Sequence, residues 1–314
     1  MTKPKIVYVA GWGRSGSTLL ERVLGEVDGW FSSGELNLIW HNELCGCGAT
    51  AFDCAFWAPV LRKVFARHPD LDPGSLIALQ DRWLDTNPAH LAVIAREGRR
   101  NGPANRHPVS RYADLLADLY TSTADSAEAR VIIDSSKGAP YPYLIATHTD
   151  IDLYVVHLVR DPRACAYSLA KRKLKRTDPP RYFGRMGPAS SSLHWLRRNA
   201  LIDTLIRRGQ GDRYLRVRYE DFVDRPQATV RSICSLLGEP DAELPFSGDR
   251  GVRLGSNHSV AGNRLRAYDG EIEIRPDDEW RAKMDPRSRR LATLTAAPLM
   301  SRYGYPLLAA RPAR

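Results

Sequence analysis

Apolar side chains fall in short unbroken runs at 5–10, 130–134 and 152–159, with a weaker run at 214–218. Runs without polar alternation predict strands buried on both faces, the pattern of a parallel sheet. Between them, at 18–26, 111–121, 163–172, 193–208 and 229–237, apolar residues recur at three- and four-residue spacing, which predicts helices; Gly209 and Gly238 follow two of these as C-terminal stops. Strands alternating with helices predict an α/β fold with a central parallel sheet flanked by helices. The rhythm fails at 36–108, which is rich in Trp, His, Asn and Arg with irregular helical spacing. That stretch reads as a helical insertion over the sheet, there either to shape a cleft or to cap the core. Repeats and low-complexity tracts are absent and Pro and Gly are scattered, so 1–314 is expected to be a single domain.

One polar interruption stands out. Gly11-Trp-Gly-Arg-Ser-Gly-Ser-Thr18 follows the first predicted strand and opens the first predicted helix. Glycines permit a tight turn, successive backbone N–H groups point inward, and the helix N-terminus adds partial positive charge, so the loop is built to hold an anion. Gly11 and Gly16 have the spacing of a nucleotide P-loop, but Ser17 stands where that motif has Lys, and the cation, Arg14, precedes the second glycine. This argues against an ATP-dependent kinase, whose remaining support is Asp134 at a strand end. A second basic cluster, Val155 to Ser168, sets Arg160 at the carboxyl end of a strand and Ser168 on the next helix, with Arg172 one turn further. Ligands of open α/β sheets bind at those strand ends.

Composition narrows the classes. Lys and Arg number 46 against 36 Asp and Glu, a formal charge of +10, and 43% of residues are hydrophobic. A soluble globular protein with an anionic partner fits; a disordered or fibrous chain does not. The run at 6–10 is too short for a secretion signal and nothing approaches a membrane span, so a cytoplasmic location is expected, and the five cysteines suit a reducing compartment. The basic stretch Lys171 to Arg176 has no interleaved aromatics, which argues against a nucleic-acid binder.

The two anion clusters together resemble those of the sulfotransferases that use 3′-phosphoadenosine 5′-phosphosulfate (PAPS). Arg14 to Leu20 is similar to their 5′-phosphosulfate loop and Arg160 to Ser168 to their 3′-phosphate site. Val217-Arg-Tyr-Glu-Asp221 and Asn257 to Arg266 resemble two further segments, the second being the loop that closes over the cofactor. The resemblance implies a P-loop-like three-layer sandwich and transfer of a sulfuryl group from PAPS to a hydroxyl of a small-molecule, carbohydrate or lipid acceptor, without a metal. It implies a nucleotide site of Gly13, Arg14, Ser15, Gly16, Ser17, Thr18, Arg160, Ser168, Arg172, Tyr219, Ser256, His258, Ser259, Gly262, Asn263 and Arg266. Two charged ends of one donor need two anion sites, which agrees.

Sulfuryl transfer needs a base for the acceptor and cations along the line of attack. The resemblance makes Glu35, in Ser32-Ser-Gly-Glu35, the base, with His90 or His107 as the histidine alternative; Arg14 and Lys137 become the cations. Cys45, Cys47 and Cys54 with His41 offer four potential metal ligands within 14 residues, but the C-x-C spacing lacks a second pair, which leaves metal binding and plain packing both open. Cys165 and Cys234 read as core residues, and a homo-oligomer remains compatible.

Overall fold

The continuous apolar runs become the middle of a five-stranded parallel sheet in the order β2–β3–β1–β4–β5, where β1 is Lys5–Gly11, β2 Trp30–Gly34, β3 Val131–Lys137, β4 Asp152–Val159 and β5 Tyr214–Arg218. The computed structural model describes residues 3–98, 107–171, 174–175, 181–182 and 184–307. Both faces of the sheet are covered, which is why the runs do not alternate. From β1, Ile6, Tyr8 and Ala10 enter one core with the helix Pro108–Ala127 and the insertion; Val7 and Val9 enter the opposite core with helix α1, Ser17–Leu24, and the helix Pro226–Leu236. The three-layer α/β expectation holds.

The described part of 36–108 is mainly helical as expected: a 3₁₀ turn Leu36–His41, then Trp57–Arg67, Pro73–Trp83 and Pro88–Gly98. The strand just before it, β2, escapes the hydrophobic pattern because its two serines are buried by hydrogen bonds instead of by apolarity. Ser33 Oγ donates to the Ile133 carbonyl at 2.6 Å, and Ser32 Oγ bonds Glu21. The helix expected at 163–172 ends earlier, at Ala170. Arg172 lies outside the described residues, as do Lys173 and Arg176 of the basic stretch. The helix expected at 193–208 runs Pro188–Leu201 into a π turn and a last turn, Arg207–Gln210, that contains Gly209; the left-handed stop is Gly211. Among the described residues no helix is long and apolar enough to cross a membrane.

Candidate active site

The carboxyl ends of β1, β2 and β3 bring three separate sequence segments to one cavity of about 260 Å³, lined by Gly13, Arg14, Gly16, Ser17, Thr18, Glu35 and Lys137, with Ala261, Gly262 and Asn263 closing it from the far side. The loop after β1 passes into α1 through Gly16 at φ +94°, and no side chain caps the helix. A Cβ on Gly16 would lie 2.5 Å from the Tyr219 ring, so glycine is needed both for the turn and for the approach of that tyrosine.

Beneath the loop, the buried Glu21 carboxylate accepts from Ser32 Oγ, Ser135 Oγ at 2.7 Å and Ser259 Oγ at 3.1 Å, tying α1, β2, β3 and the 256–262 loop into one polar knot. Burial raises its pKa above the ordinary carboxylate value, and the three hydroxyls oppose that rise.

Glu35 follows β2 directly, and its Oε1 lies 2.6 Å from Lys137 Nζ at the end of β3; the amine also donates to the Ser135 carbonyl at 3.0 Å. Arg14 stands across the cavity. Burial lowers its pKa from the ordinary guanidinium value, and attraction to Glu35 partly restores it. Arg14 (φ 67°), Lys137 (φ 70°) and Ala261 (φ 57°) all hold left-handed backbone without being glycine, and all three line the cavity. Such strain persists where surrounding structure fixes it, as at functional sites.

A second cavity, of about 290 Å³, opens at the end of β4 between Arg160, Tyr219, Asp277 and Trp280. The buried Arg160 lies with its guanidinium 4.2 Å from the Tyr219 ring centroid; it donates to the Arg14 carbonyl at 3.1 Å and to the Asp277 carbonyl at 2.8 Å, with an Asp277 carboxylate oxygen at 3.1 Å. Arg160 therefore bridges the two cavities. Asp161 caps the next helix, Pro162–Ala170, and also holds Arg163, fixing the turn that aims Arg160. Ser168 is buried on that helix.

The late loop divides. Gly262 and Asn263 face the first cavity, Ser256 is exposed, and Arg266 is buried under the loop, where its carbonyl accepts from Asn257. Ser259 belongs to the Glu21 knot, and the His258 ring points to Cys45 and Cys54. These two are placed away from the cavity because the backbone of 258–260 pairs with Gly34 and Cys45 and turns their side chains inward. His41 likewise leaves the cysteines and lines a groove instead. His90 and His107 pack on Trp83 in the insertion, and Asp134 is engaged by Tyr120 Oη at 2.5 Å and by Ser136.

Sequence reasoning missed Arg198. Its guanidinium lies 5.1 Å over the Trp12 ring; burial lowers its pKa, while Tyr8 and Glu35 act to raise it. With Tyr8, Asn37, Leu38, His41 and Tyr141 it lines a groove of about 350 Å³ that shares Leu38 with the first cavity.

An uncapped helix N-terminus walled by two cations and a carboxylate, at the carboxyl edge of a P-loop-like parallel sheet, defines an α/β transferase of anionic groups. The model described as "Sulfotransferase family" matches residues 4–243, and the chain belongs to that family. No curated protein matches the chain. Among solved structures it is similar to the sulfotransferase domain from the olefin synthase of Synechococcus PCC 7002, at 24% identity over 98% of each chain with a TM-score of 0.56. It is also similar to the sulfotransferase domain from the curacin biosynthetic pathway, at 19% identity over 98% of this chain and 100% of that one with a TM-score of 0.50. At these identities the likeness concerns the fold.

Proposed function

We propose that this sulfotransferase uses PAPS as donor and a hydroxyl compound as acceptor, with Glu35 as general base. The observation that carries the reading is the meeting of Glu35, Lys137 and Arg14 over the anion loop, one wall away from Arg160. Two buried polar atoms, Ser15 Oγ on the loop and Arg160 Nε at the end of β4, have no hydrogen-bond partner among the described residues. Each end of the site thus keeps a group for an anion to satisfy, which fits a donor charged at both ends.

When bound, PAPS supplies an activated sulfuryl group whose bridge to the 5′-phosphate breaks as the bond to the acceptor oxygen forms. The N-terminal amides of α1 with Ser17 and Thr18 hold the 5′ end; Arg160, with Tyr219 stacked on it, and Ser168 on the next helix hold the 3′ end. The acceptor enters along the Tyr8–Arg198 groove and reaches past Leu38 into the first cavity, where Glu35 takes the proton from its hydroxyl. Lys137 exchanges its Glu35 contact for the sulfuryl oxygens, and Arg14 meets the charge that develops on the bridge oxygen. A small molecule, a sugar or a lipid headgroup of mixed aromatic and polar surface suits this groove. Kinase chemistry is disfavoured by Ser17 in place of the P-loop Lys and by an Asp134 already engaged by Tyr120 and Ser136.

Calorimetric titration with 3′-phosphoadenosine 5′-phosphate tests the donor. Saturable binding that Arg160→Ala weakens at least tenfold is expected; tighter binding of ATP with Mg²⁺ contradicts the reading.

A further inference from the structure

The cysteine loop and His258 form a second constellation, outside the transfer site. Cys45, Cys47 and Cys54 share one small volume with the His258 ring, all four ligand atoms lying within 4.8 Å of one another. Cys54 Sγ is 3.6 Å from both Cys45 Sγ and Cys47 Sγ; His258 Nδ1 is 3.3 Å from Cys54 Sγ and 3.6 Å from Cys45 Sγ. A tetrahedral zinc ion, about 2.3 Å from sulfur and about 2.0 Å from nitrogen, spaces neighbouring sulfurs about 3.8 Å apart and a sulfur and a nitrogen about 3.5 Å apart. The observed edges match that figure. They are much too long for a disulfide, whose sulfurs stand about 2.05 Å apart.

The surroundings are those of a held site. The turn is pinned by Cys45 N–H to the Ala49 carbonyl (2.8 Å) and Gly48 N–H to the Cys45 carbonyl (3.0 Å), while the Cys47 and Ala49 amides face the sulfurs of Cys45 and Cys47. Amides directed at sulfur are the outer hydrogen bonds that orient metal-bound sulfur ligands. On the other side the imidazole stacks on Phe56 at 5.1 Å, the His258 carbonyl accepts from Trp57 Nε1 at 2.6 Å, and the Ser259 carbonyl accepts from Gly46 N–H at 2.9 Å.

We propose that Cys45, Cys47, Cys54 and His258 bind one structural zinc ion. Three thiolates and one imidazole close its coordination, so it takes no part in chemistry. Its work is mechanical: it joins the loop after the Leu36–His41 turn to the segment that continues through Val260 into Ala261, Gly262 and Asn263 of the cavity wall. His41, near the cysteines in sequence, is not a ligand.

The test is metal analysis of the purified chain, expressed without an engineered histidine tag and never exposed to chelator. About one zinc per chain is expected, lost in Cys54→Ser and in His258→Ala and kept in His41→Ala. Cobalt replacing the zinc should give the intense visible bands of a tetrahedral thiolate site, a readout on the wild-type chain that stands even where a variant fails to fold. Displacing the metal with a mercurial reagent should speed hydrogen exchange in 257–263. Absence of stoichiometric metal from the wild-type chain overturns the proposal, as does full metal content in Cys54→Ser.

Discussion

Replacing Gly34 by alanine tests how the Glu35 edge of the first cavity is held. Gly34 sits at φ +85° at the end of β2, and a Cβ there would lie 2.2 Å from the Val260 carbonyl oxygen, 2.3 Å from the Val260 nitrogen and 2.9 Å from the Ser259 carbonyl carbon. All three are backbone atoms and cannot rotate away. Relief of about 1 Å has to come from parting the two segments, which breaks Glu35 N–H to the Val260 carbonyl (2.8 Å) and Val260 N–H to the Ser33 carbonyl (2.9 Å). Each of the two buried hydrogen bonds lost costs about 1–3 kcal/mol, and alanine in left-handed backbone adds about 1 kcal/mol. The sum, about 3–7 kcal/mol, is a large share of the roughly 5–15 kcal/mol that keeps a domain folded. Gly238→Ala isolates the backbone strain, since Gly238 is at φ +75° with nothing within 4 Å of a Cβ; it should cost about 1 kcal/mol. Urea denaturation of the two variants measures the difference directly. Equal midpoints refute the claim that Gly34 is held by the 260 loop.

Two buried groups should pull stability in opposite directions with pH. Burial lowers His157 to about 4, so it folds neutral, and its contribution is present above the ordinary value near 6.5 and lost as pH falls toward 4; burial raises Asp134 to about 6, so its contribution is present below the ordinary value and lost as pH rises through 6. Each is worth about 3 kcal/mol at most, so they nearly cancel in the wild type. His157→Asn should make stability fall with rising pH across this window and Asp134→Asn should deepen the acid loss; identical slopes by urea denaturation refute the assignment. Asp277→Asn removes a carboxylate from Arg160 and should tighten binding of 3′-phosphoadenosine 5′-phosphate several-fold by calorimetry, whereas unchanged affinity removes Arg160 from the 3′ end. Lys137→Met should lower turnover by about 10²–10³ with the melting temperature nearly unchanged, and retained turnover dismisses it as a cation in the transfer.

Apolar runs predict β1, β3, β4 and β5 well because burial on both faces leaves a signal in the residues themselves. β2 gives no such signal. Trp-Phe-Ser-Ser-Gly is half polar, and its burial depends on partners from elsewhere in the chain: Glu21, Ile133 and Ser259. The anion loop and Lys137 are legible because each stands at the end of a strand that the apolar runs predict, and the parallel sheet gathers strand ends; Glu35 is legible only through the family resemblance of Ser32-Ser-Gly-Glu35, since β2 itself gives no signal. Arg198 is invisible because its place over Trp12 comes from helix packing. Proximity in sequence pairs His41 with the cysteines, while the fold supplies His258, 204 residues beyond Cys54.

The central claim is that Glu35 acts on the acceptor while other residues hold the donor. Glu35→Gln keeps the shape of the side chain and removes the base, so two quantities measured on one preparation decide it: the affinity for 3′-phosphoadenosine 5′-phosphate and the turnover of PAPS with an acceptor found by mass gain. Affinity within about twofold of the wild type, with turnover down by about 10²–10⁴, is the predicted result. Turnover unchanged in Glu35→Gln contradicts the account.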